Sequence, residues 1–223
     1  MAQIVQLSLQ DLDEIMQVEA RAFIPLIQAS REKVQERLQK EHIYLGVQVN
    51  TQLAGTFALR PAHFVPDIQK FLERYPTFRE YAELSDSEEE NALFGYSLGI
   101  LKQHRNFFNA KSLLESAINL AKHLGKQFIV GDSRIPGYNG SCEFPDFEKF
   151  DKNPELHEAI DRYFATEQLP SRDLLMQDPV LGTYLRINPK GKILGITPPR
   201  FWQPDNPCNG QMVIIYLDLQ KEK

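Results

Sequence analysis

One segment, residues 97–138, constrains the fold of this chain more than any other. It runs from an apolar stretch through a short polar turn into residues with apolar side chains at helical spacing, namely Leu113, Leu114, Ala117, Leu120, Ala121 and Leu124. Gly125 then occupies a position where helices commonly stop, and the run QFIVGD is typical of a buried strand. Because a parallel crossover needs a helix of about this length, the segment predicts strands at 94–101 and 127–131 that are parallel neighbours and diverge at their C-terminal ends.

The turn before this helix has the sequence HRNFFNA. The first amides of a helix have no acceptor within the helix, so a helix that follows a short strand-to-helix turn is a natural anion site. Arg105 and Lys111 add positive charge, and Asn106 and Asn109 tolerate a tight backbone. The turn therefore predicts an anion site, and the alternative interpretation is an ordinary turn with solvated basic side chains.

The rest of the chain reads as alternating strands and helices. Its first half predicts a strand at 3–7, a helix at 11–23 capped by Ser8, a polar helix in SREKVQERLQKE and a hairpin around residues 50–52. A helical segment follows that is broken at Pro76, and another helix is predicted at 154–164. Near the end, the runs TYLRI, KILGI and QMVIIYLDL are interpreted as strands.

Composition limits the classes of protein to which the chain can belong. Its 223 residues, 42% of them hydrophobic, suffice for one domain with a real core, and its net charge of −5 argues against a broad nucleic-acid-binding face. The first ten residues lack the features of a signal peptide, and no apolar run approaches the roughly 20 residues of a membrane span. Cys142 and Cys208 are far apart, and no spacing predicts a metal site. We expect a cytoplasmic protein with no metal, no membrane span and no nucleic-acid partner.

The order and the residues of the central segment resemble the acyl-CoA-binding motif of the GNAT superfamily of N-acyltransferases. The family motif is Arg or Gln, two residues, Gly, one residue, then Gly or Ala. The corresponding residues here are Arg105, Phe108 and Ala110, so Phe108 departs from the motif. The segments GDSRIPGY, QDPVLGTYLRI and KILGITPPRFWQPDNPCNGQMVIIYL are similar to a GNAT subgroup fused to carbon–nitrogen hydrolases and to the GNAT-like loading domains of cyanobacterial polyketide synthases.

The resemblance implies an α/β (α+β) GNAT fold, with a mixed, mostly antiparallel central sheet flanked by helices. Residues 1–223 would form a single GNAT-like domain. The segment at about 139–177 is interpreted as an inserted, lid-like helical segment, and a packing elaboration is the alternative.

The same resemblance implies that the chain binds acetyl-CoA or another acyl-CoA as donor substrate. In the family, the strand before the turn leaves amides and carbonyls free for the pantetheine arm, which implies main-chain contacts from Leu98, Gly99 and Ile100. The turn would hold the pyrophosphate. Its predicted cofactor-binding residues are Arg105, Asn106, Phe107, Phe108, Asn109, Ala110 and Lys111.

Asp132, Ser133 and Tyr138 are the predicted catalytic residues, because they follow the second strand where the family places the acceptor and the acyl group. Acyl transfer needs a base for the acceptor's proton and an acid for the leaving thiolate. Asp132 is a candidate base, and Tyr138 or Ser133 a candidate acid. The alternative is that these are ordinary loop residues.

The predicted function is transfer of an acyl group from CoA to an amine or thiol acceptor, with an acyl carrier protein among the candidate partners. One alternative is a carrier-protein-directed S-acyltransferase or decarboxylase of the polyketide loading type. The relatives that decarboxylate use a His on a late strand, where this chain has Ile187 and Asn188, and this argues against decarboxylation. The others are a non-catalytic acyl-CoA-binding module, to which Phe108 points, and a sensor that binds acyl-CoA without turnover.

Overall fold

The computed structural model describes residues 2–23, 25, 28–84, 89–135, 153–178, 180–199, 201 and 211–220. The chain divides into two compact units. The first unit comprises Met1–Phe64, Ser85–Val130 and Asp218–Lys223, and the second comprises Val65–Leu84 and Gly131–Leu217.

The helices and strands alternate along the chain much as the sequence predicts. The strands are β1 (Ala2–Leu7), β2 (Ile43–Val49), β3 (Gln52–Ala62), β4 (Ala92–Ile100), β5 (Phe128–Arg134), β6 (Lys192–Ile196) and β7 (Met212–Asp218). The helices are α1 (Leu12–Ala22), α2 (Arg31–Gln39), α3 (Ile68–Arg74), α4 (Phe78–Glu83), α5 (Phe107–His123), α6 (Pro154–Thr166), α7 (Arg172–Leu175) and α8 (Leu181–Ile187).

The strands form a seven-stranded mixed sheet, mostly antiparallel, in the order β1-β2-β3-β4-β5-β7-β6. Antiparallel ladders join β1 to β2, β2 to β3, β3 to β4 and β6 to β7. The amides of Gln127 and Phe128 both donate to the carbonyl of Asn91. Because this places the beginnings of β4 and β5 side by side, the two strands run parallel, and the predicted parallel pairing is confirmed.

Local sequence signals account for several element boundaries. Ser8 and Asp11 form the predicted reciprocal cap at a short 3-10 turn before α1. Asn50 and Thr51 take φ values of 51° and 67°, which closes the β2–β3 hairpin in a two-residue turn. Gly125 has φ of 68° directly beyond α5, as the predicted helix stop requires.

The second unit has its own apolar core, to which α6, α7, α8 and two strands contribute. Its buried members are Ile135, Leu156, Ile160, Tyr163, Leu174, Leu175, Leu181, Leu185, Ile196 and Val213. Helix α6 begins at a proline behind the cap of Asn153, in agreement with the predicted helix.

The prediction that TYLRI is a strand is wrong, because these residues lie in α8. Its β-branched and aromatic residues favour a strand by propensity. Asp178 overrides that preference, since its buried Oδ1 accepts hydrogen bonds from the amides of Val180 and Leu181, both at 2.9 Å. Leu181 and Leu185, one turn apart, then bury their side chains in the second unit's core.

The prediction that Asp132 and Ser133 follow the second strand is also wrong, because β5 continues through Arg134. Gly131 and Asp132 resemble a turn signal in sequence. In the structure a Cβ at Gly131 would meet nothing within 4 Å, and the fully buried Ile135 continues the apolar pattern beyond the strand. The two polar side chains therefore project from the strand itself.

Candidate functional site

The turn before α5 is organised by two asparagines. Asn106 caps the helix, and its Oδ1 accepts a hydrogen bond from the amide of Asn109 at 2.9 Å. The Asn109 side chain is buried and donates to the carbonyl of His104 at 2.8 Å. Within the described part of the chain, the amides of Phe107 and Phe108 have no hydrogen-bond acceptor. Two amides of the turn predicted to hold a pyrophosphate are thus open.

Arg105 and Lys111, the predicted cationic groups of the turn, already contact protein. The Arg105 guanidinium donates to the carbonyls of Ile100 and Ala22, each at 3.0 Å. This residue therefore ties the end of β4 to the end of α1 while its side chain remains exposed. Lys111 lies 3.4 Å from Glu115 in an exposed ion pair, which is weak in water.

Phe108, which stands where the family motif has glycine, extends into solvent with 76% of its surface exposed. Phe107 is 44% exposed, and the two rings pack edge to face with centroids 6.2 Å apart. The Phe108 ring therefore does not occupy the space in front of the first amides of α5. Ala110, the last motif residue, is buried beneath the first turn of the helix.

Strand β4 contains the predicted pantetheine-binding residues. Leu98, Gly99 and Ile100 pair with residues of β3 along one edge, and β5 is the neighbour of β4 on the other. Gly99 is needed for close packing, because a Cβ there would lie 2.7 Å from the ring of Phe23. Its missing side chain lets α1 approach this end of the strand.

A β-bulge interrupts β4 at Tyr96. Ala58 of β3 pairs with Ser97 while Leu59 pairs with Gly95, so the register of the ladder shifts by one residue at Tyr96. A bulge releases main-chain groups from regular pairing and bends the strand locally. Sequence reasoning missed this feature, because neither Gly95 nor Tyr96 by itself marks a bulge.

Asp132 is the centre of a polar cluster in the second unit. Burial raises the pKa of its carboxyl group from 3.8 to about 7, although the positive charge of Arg134 and a hydrogen bond from the Tyr81 hydroxyl act in the opposite direction. The residue as a whole is partly exposed. A carboxyl group with this pKa is about half ionised at neutral pH and exchanges protons readily there.

Tyr184 of α8 belongs to the same cluster. Burial raises the pKa of its hydroxyl, the negative charge of Asp132 raises it further, and Arg134 lowers it. Tyr184 and the fully buried Tyr81 are cluster members that the sequence did not predict. The signal for Tyr184 was hidden because its segment reads as a strand.

The other two predicted catalytic residues have different outcomes. Ser133 is buried, and its hydroxyl donates to the carbonyl of Arg134 at 3.1 Å. Tyr138 lies outside the described residues. The catalytic assignments of Asp132, Ser133 and Tyr138 therefore stay predictions.

The described residues contain no group of three or more His, Cys, Asp or Glu side chains that is arranged to hold a metal ion. Among the helices that the structure describes, none has the length and apolarity to cross a membrane.

Comparison with known proteins identifies the fold. No family model and no curated protein sequence matches the chain. Among solved structures, the GNAT-like decarboxylase GphF in complex with isobutyryl-CoA is 24% identical, with a TM-score of 0.67 over 97% of this chain and 99% of that one. The loading GNATL domain of CurA from Lyngbya majuscula is 17% identical, with a TM-score of 0.70 and complete coverage of both chains. A probable acetyltransferase from Staphylococcus epidermidis is 9% identical, with a TM-score of 0.57 over 98% of this chain and 99% of that one.

Proposed function

We propose that this chain, which has the GNAT fold, is an acyltransferase that moves an acyl group from acyl-CoA to an amine or thiol acceptor. The observation that carries the proposal is the strand–turn–helix segment formed by β4, the Asn106-capped turn and α5. It combines a bulged strand with two open helical amides, at Phe107 and Phe108. These are the main-chain donors that a thioester and a diphosphate require.

Each end of the acyl-CoA donor would bind to a different part of this strand–turn–helix segment. The two open amides would bind the pyrophosphate, and the main chain of β4 from Tyr96 to Ile100 would align the pantetheine arm and the thioester. Phe108 is compatible with this arrangement because its side chain points into solvent. Acetyl-CoA is the default donor, and isobutyryl-CoA in the GphF complex supports testing short branched acyl groups as well.

The chemical step needs a group that accepts the proton of the attacking acceptor. The acceptor attacks the thioester carbonyl, a tetrahedral oxyanion forms, and the C–S bond breaks to release CoA thiolate. We assign Asp132 the role of base, since a carboxyl group with a pKa of about 7 is partly ionised at neutral pH and accepts a proton from an ammonium or thiol acceptor. The thiolate then takes up a proton from Ser133, Tyr138 or water.

The test measures acyl transfer directly. Purified protein is incubated with acetyl-, propionyl-, isobutyryl- and malonyl-CoA, in the presence of a panel of primary amines, pantetheine and a phosphopantetheinylated carrier protein. Mass spectrometry identifies the acylated product. We expect transfer by the wild type and about a 10²–10⁴-fold lower rate for Asp132→Asn, the range for loss of a general base. Binding of CoA with no acylated product from any donor would point to the non-catalytic binding module instead.

Decarboxylation is the second candidate function. The observation in its favour is that Arg134 and Tyr184 accompany Asp132 in one cluster, because a cation and a hydroxyl are groups that stabilise the enolate left by loss of CO2. The GphF structure is named a GNAT-like decarboxylase. The malonyl-CoA arm separates the two functions: release of CO2 with formation of acetyl-CoA would replace the transferase proposal, whereas unchanged malonyl transfer would support it.

A further inference from the structure

The C-terminal end of α1 packs against the end of β4 within the first unit. Gly99 is the point of contact, because a Cβ at this residue would lie 2.7 Å from the Phe23 ring and 3.1 Å from the Cβ of Ala22. Since real Cβ atoms do not approach other atoms as closely as 2.7 Å, a side chain on residue 99 would force the ring to move. The Phe23 ring therefore covers the main chain of β4 at a residue that the proposed function assigns to the pantetheine arm.

Hydrogen bonds from side chains hold this end of α1 in place. Nε2 of Gln28 donates to the carbonyl of Phe23 at 2.7 Å and to the carbonyl of Ala20 at 3.3 Å. The Arg105 guanidinium donates to the carbonyl of Ala22 at 3.0 Å. Because the last carbonyls of a helix have no partner within the helix, side chains that bind them determine how the helix ends. The end of α1 is therefore fixed both by the chain that follows it and by the turn before α5.

Phe23 itself is held on both sides of its Cα atom. It leaves the helix in an extended conformation, with φ of −120° and ψ of 151°, and its amide donates to the carbonyl of Glu19 at 3.2 Å. The buried carboxylate of Glu19 accepts a hydrogen bond from the amide of Ala29 at 2.8 Å, which ties the connection after α1 to the same residue. Since Gln28 binds its carbonyl, the main chain of Phe23 has a partner at each end and its ring has a defined position.

The fixed Phe23 ring is only partly buried, so it keeps apolar surface open beside the end of β4. Ligand sites are typically lined by such apolar and aromatic side chains. The pantetheine arm of CoA has an apolar group of its own, a carbon with two methyl groups, directly next to the pyrophosphate. In the proposed function the pyrophosphate binds at the turn, and Gly99 and Ile100 are the residues of β4 nearest to that turn. We propose that Phe23 is a further donor-binding residue whose ring packs against this dimethyl group, and that Gln28 is its positioning residue.

This inference rests on the proposed function, in which the main chain of β4 aligns the pantetheine arm. It adds α1 to the elements that bind the donor, which are otherwise β4, the turn and α5. The Phe23 ring would contact the arm and not the nucleotide or the diphosphate. Loss of the ring should therefore weaken binding of CoA, which has the arm, and leave binding of ADP, which has the diphosphate but no arm, nearly unchanged.

The test measures the affinities of CoA and ADP by calorimetry for Phe23→Ala, Gln28→Met and Leu124→Ala. We expect Phe23→Ala to weaken CoA binding about tenfold, the lower end of the range for one apolar contact, with ADP affinity within about twofold of wild type. Gln28→Met keeps the length of the side chain but cannot donate, and it should weaken CoA binding about threefold because binding then has to order the ring.

Leu124→Ala is the control. Leu124 is an exposed apolar residue of the same unit, 45% exposed, and it ends α5 at about 25 Å from the turn. This variant should leave both affinities unchanged. The ratio of CoA affinity to ADP affinity is the decisive quantity, because a general loss of stability would not change it selectively. Equal ratios for Phe23→Ala and the control would overturn the inference.

A double-mutant cycle tests the contact on which the ring's position depends. Gly99→Ala should lower the melting temperature, because its Cβ would overlap the Phe23 ring. Gly99→Ala combined with Phe23→Ala should lower it by less than the sum of the two single effects, since removal of the ring makes room for the new Cβ. Strictly additive shifts would mean that the ring does not cover Gly99 and would refute the inference.

Acyl transfer is measured separately with the same proteins. A wild type that binds CoA but acylates no acceptor would refute the proposed function alone, since the affinities of Phe23→Ala would still decide the role of the ring. A wild type that transfers acyl groups, with equal CoA affinities for Phe23→Ala and Leu124→Ala, would refute the role of the ring alone. A wild type that does not bind CoA at all would refute both.

Discussion

Replacement of Asp132 by Asn should make the protein more stable at alkaline pH and change its stability little in acid. Asn has nearly the same shape as Asp and is neutral at every pH. In the folded wild type, burial holds the pKa of the Asp132 carboxyl at about 7, against an ordinary value of 3.8. The protonated carboxyl therefore contributes stability that is complete below pH 3.8 and is lost as the pH rises through about 7.

The size of the effect follows from those two pKa values. The interval between 3.8 and about 7 corresponds to about 4 kcal/mol in total, at about 1.36 kcal/mol for each pH unit. Between pH 5 and pH 8.5, a range that is accessible to urea unfolding, the wild type should lose about 2.5–3 kcal/mol relative to Asp132→Asn. Titrations that alter both proteins equally cancel in this difference.

Urea denaturation of both proteins at four or five pH values between 5 and 8.5 would measure the difference. Asp173→Asn is a suitable control, because Asp173 is exposed on α7 and water solvates it in both the folded and the unfolded chain. A difference between wild type and Asp132→Asn that stays constant over this range, or that falls as the pH rises, would refute the burial argument and with it the case for Asp132 as a base.

Three other predictions concern the turn and the second unit. Arg105→Ala should weaken CoA binding by about 1–3 kcal/mol in calorimetry, the range for a charge-assisted contact, and equal affinities would exclude it from the pyrophosphate site. Phe108→Ala should change the free energy of unfolding by no more than about 0.5 kcal/mol, since its side chain is largely exposed, and should leave CoA affinity nearly unchanged, since the ring does not cover the helical amides; weaker binding would mean that the ring contacts the ligand. Asp178→Ala should lower the free energy of unfolding by about 1–3 kcal/mol in urea, because the amides of Val180 and Leu181 lose a buried acceptor; an unchanged midpoint would contradict that cap.

Much of the architecture could be predicted because each element carried its own local signal. Ser8 with Asp11, the turn at Asn50 and Thr51, and Gly125 each mark a boundary through a backbone demand that few residues meet. The run from β4 through α5 to β5 was recognisable for the same reason. These signals act over a few residues, so the boundaries that they mark could be predicted from a single sequence.

The incorrect predictions concern segments whose structure depends on contacts with residues far away in the sequence. The TYLRI segment has strand propensity, and only the buried cap of Asp178 and the core around Leu181 make it a helix. Gly131 and Asp132 read as a turn, yet β5 continues through them. The bulge at Tyr96 and the pKa of Asp132 depend on which side chains approach from other elements, and no local pattern states this.

The composition of the first unit has a consequence for biosynthesis. Its members include residues 218–220, and the amide of Leu219 donates to the carbonyl of Gln127 at the start of β5. Leu219 is itself buried. A ribosome delivers the two longer segments of this unit well before Leu219, so the edge of β5 that pairs with β7 stays uncovered while some ninety further residues are made. Exposed strand edges attract other chains, so translation speed and chaperone access over that interval should govern how much protein is recovered in folded form.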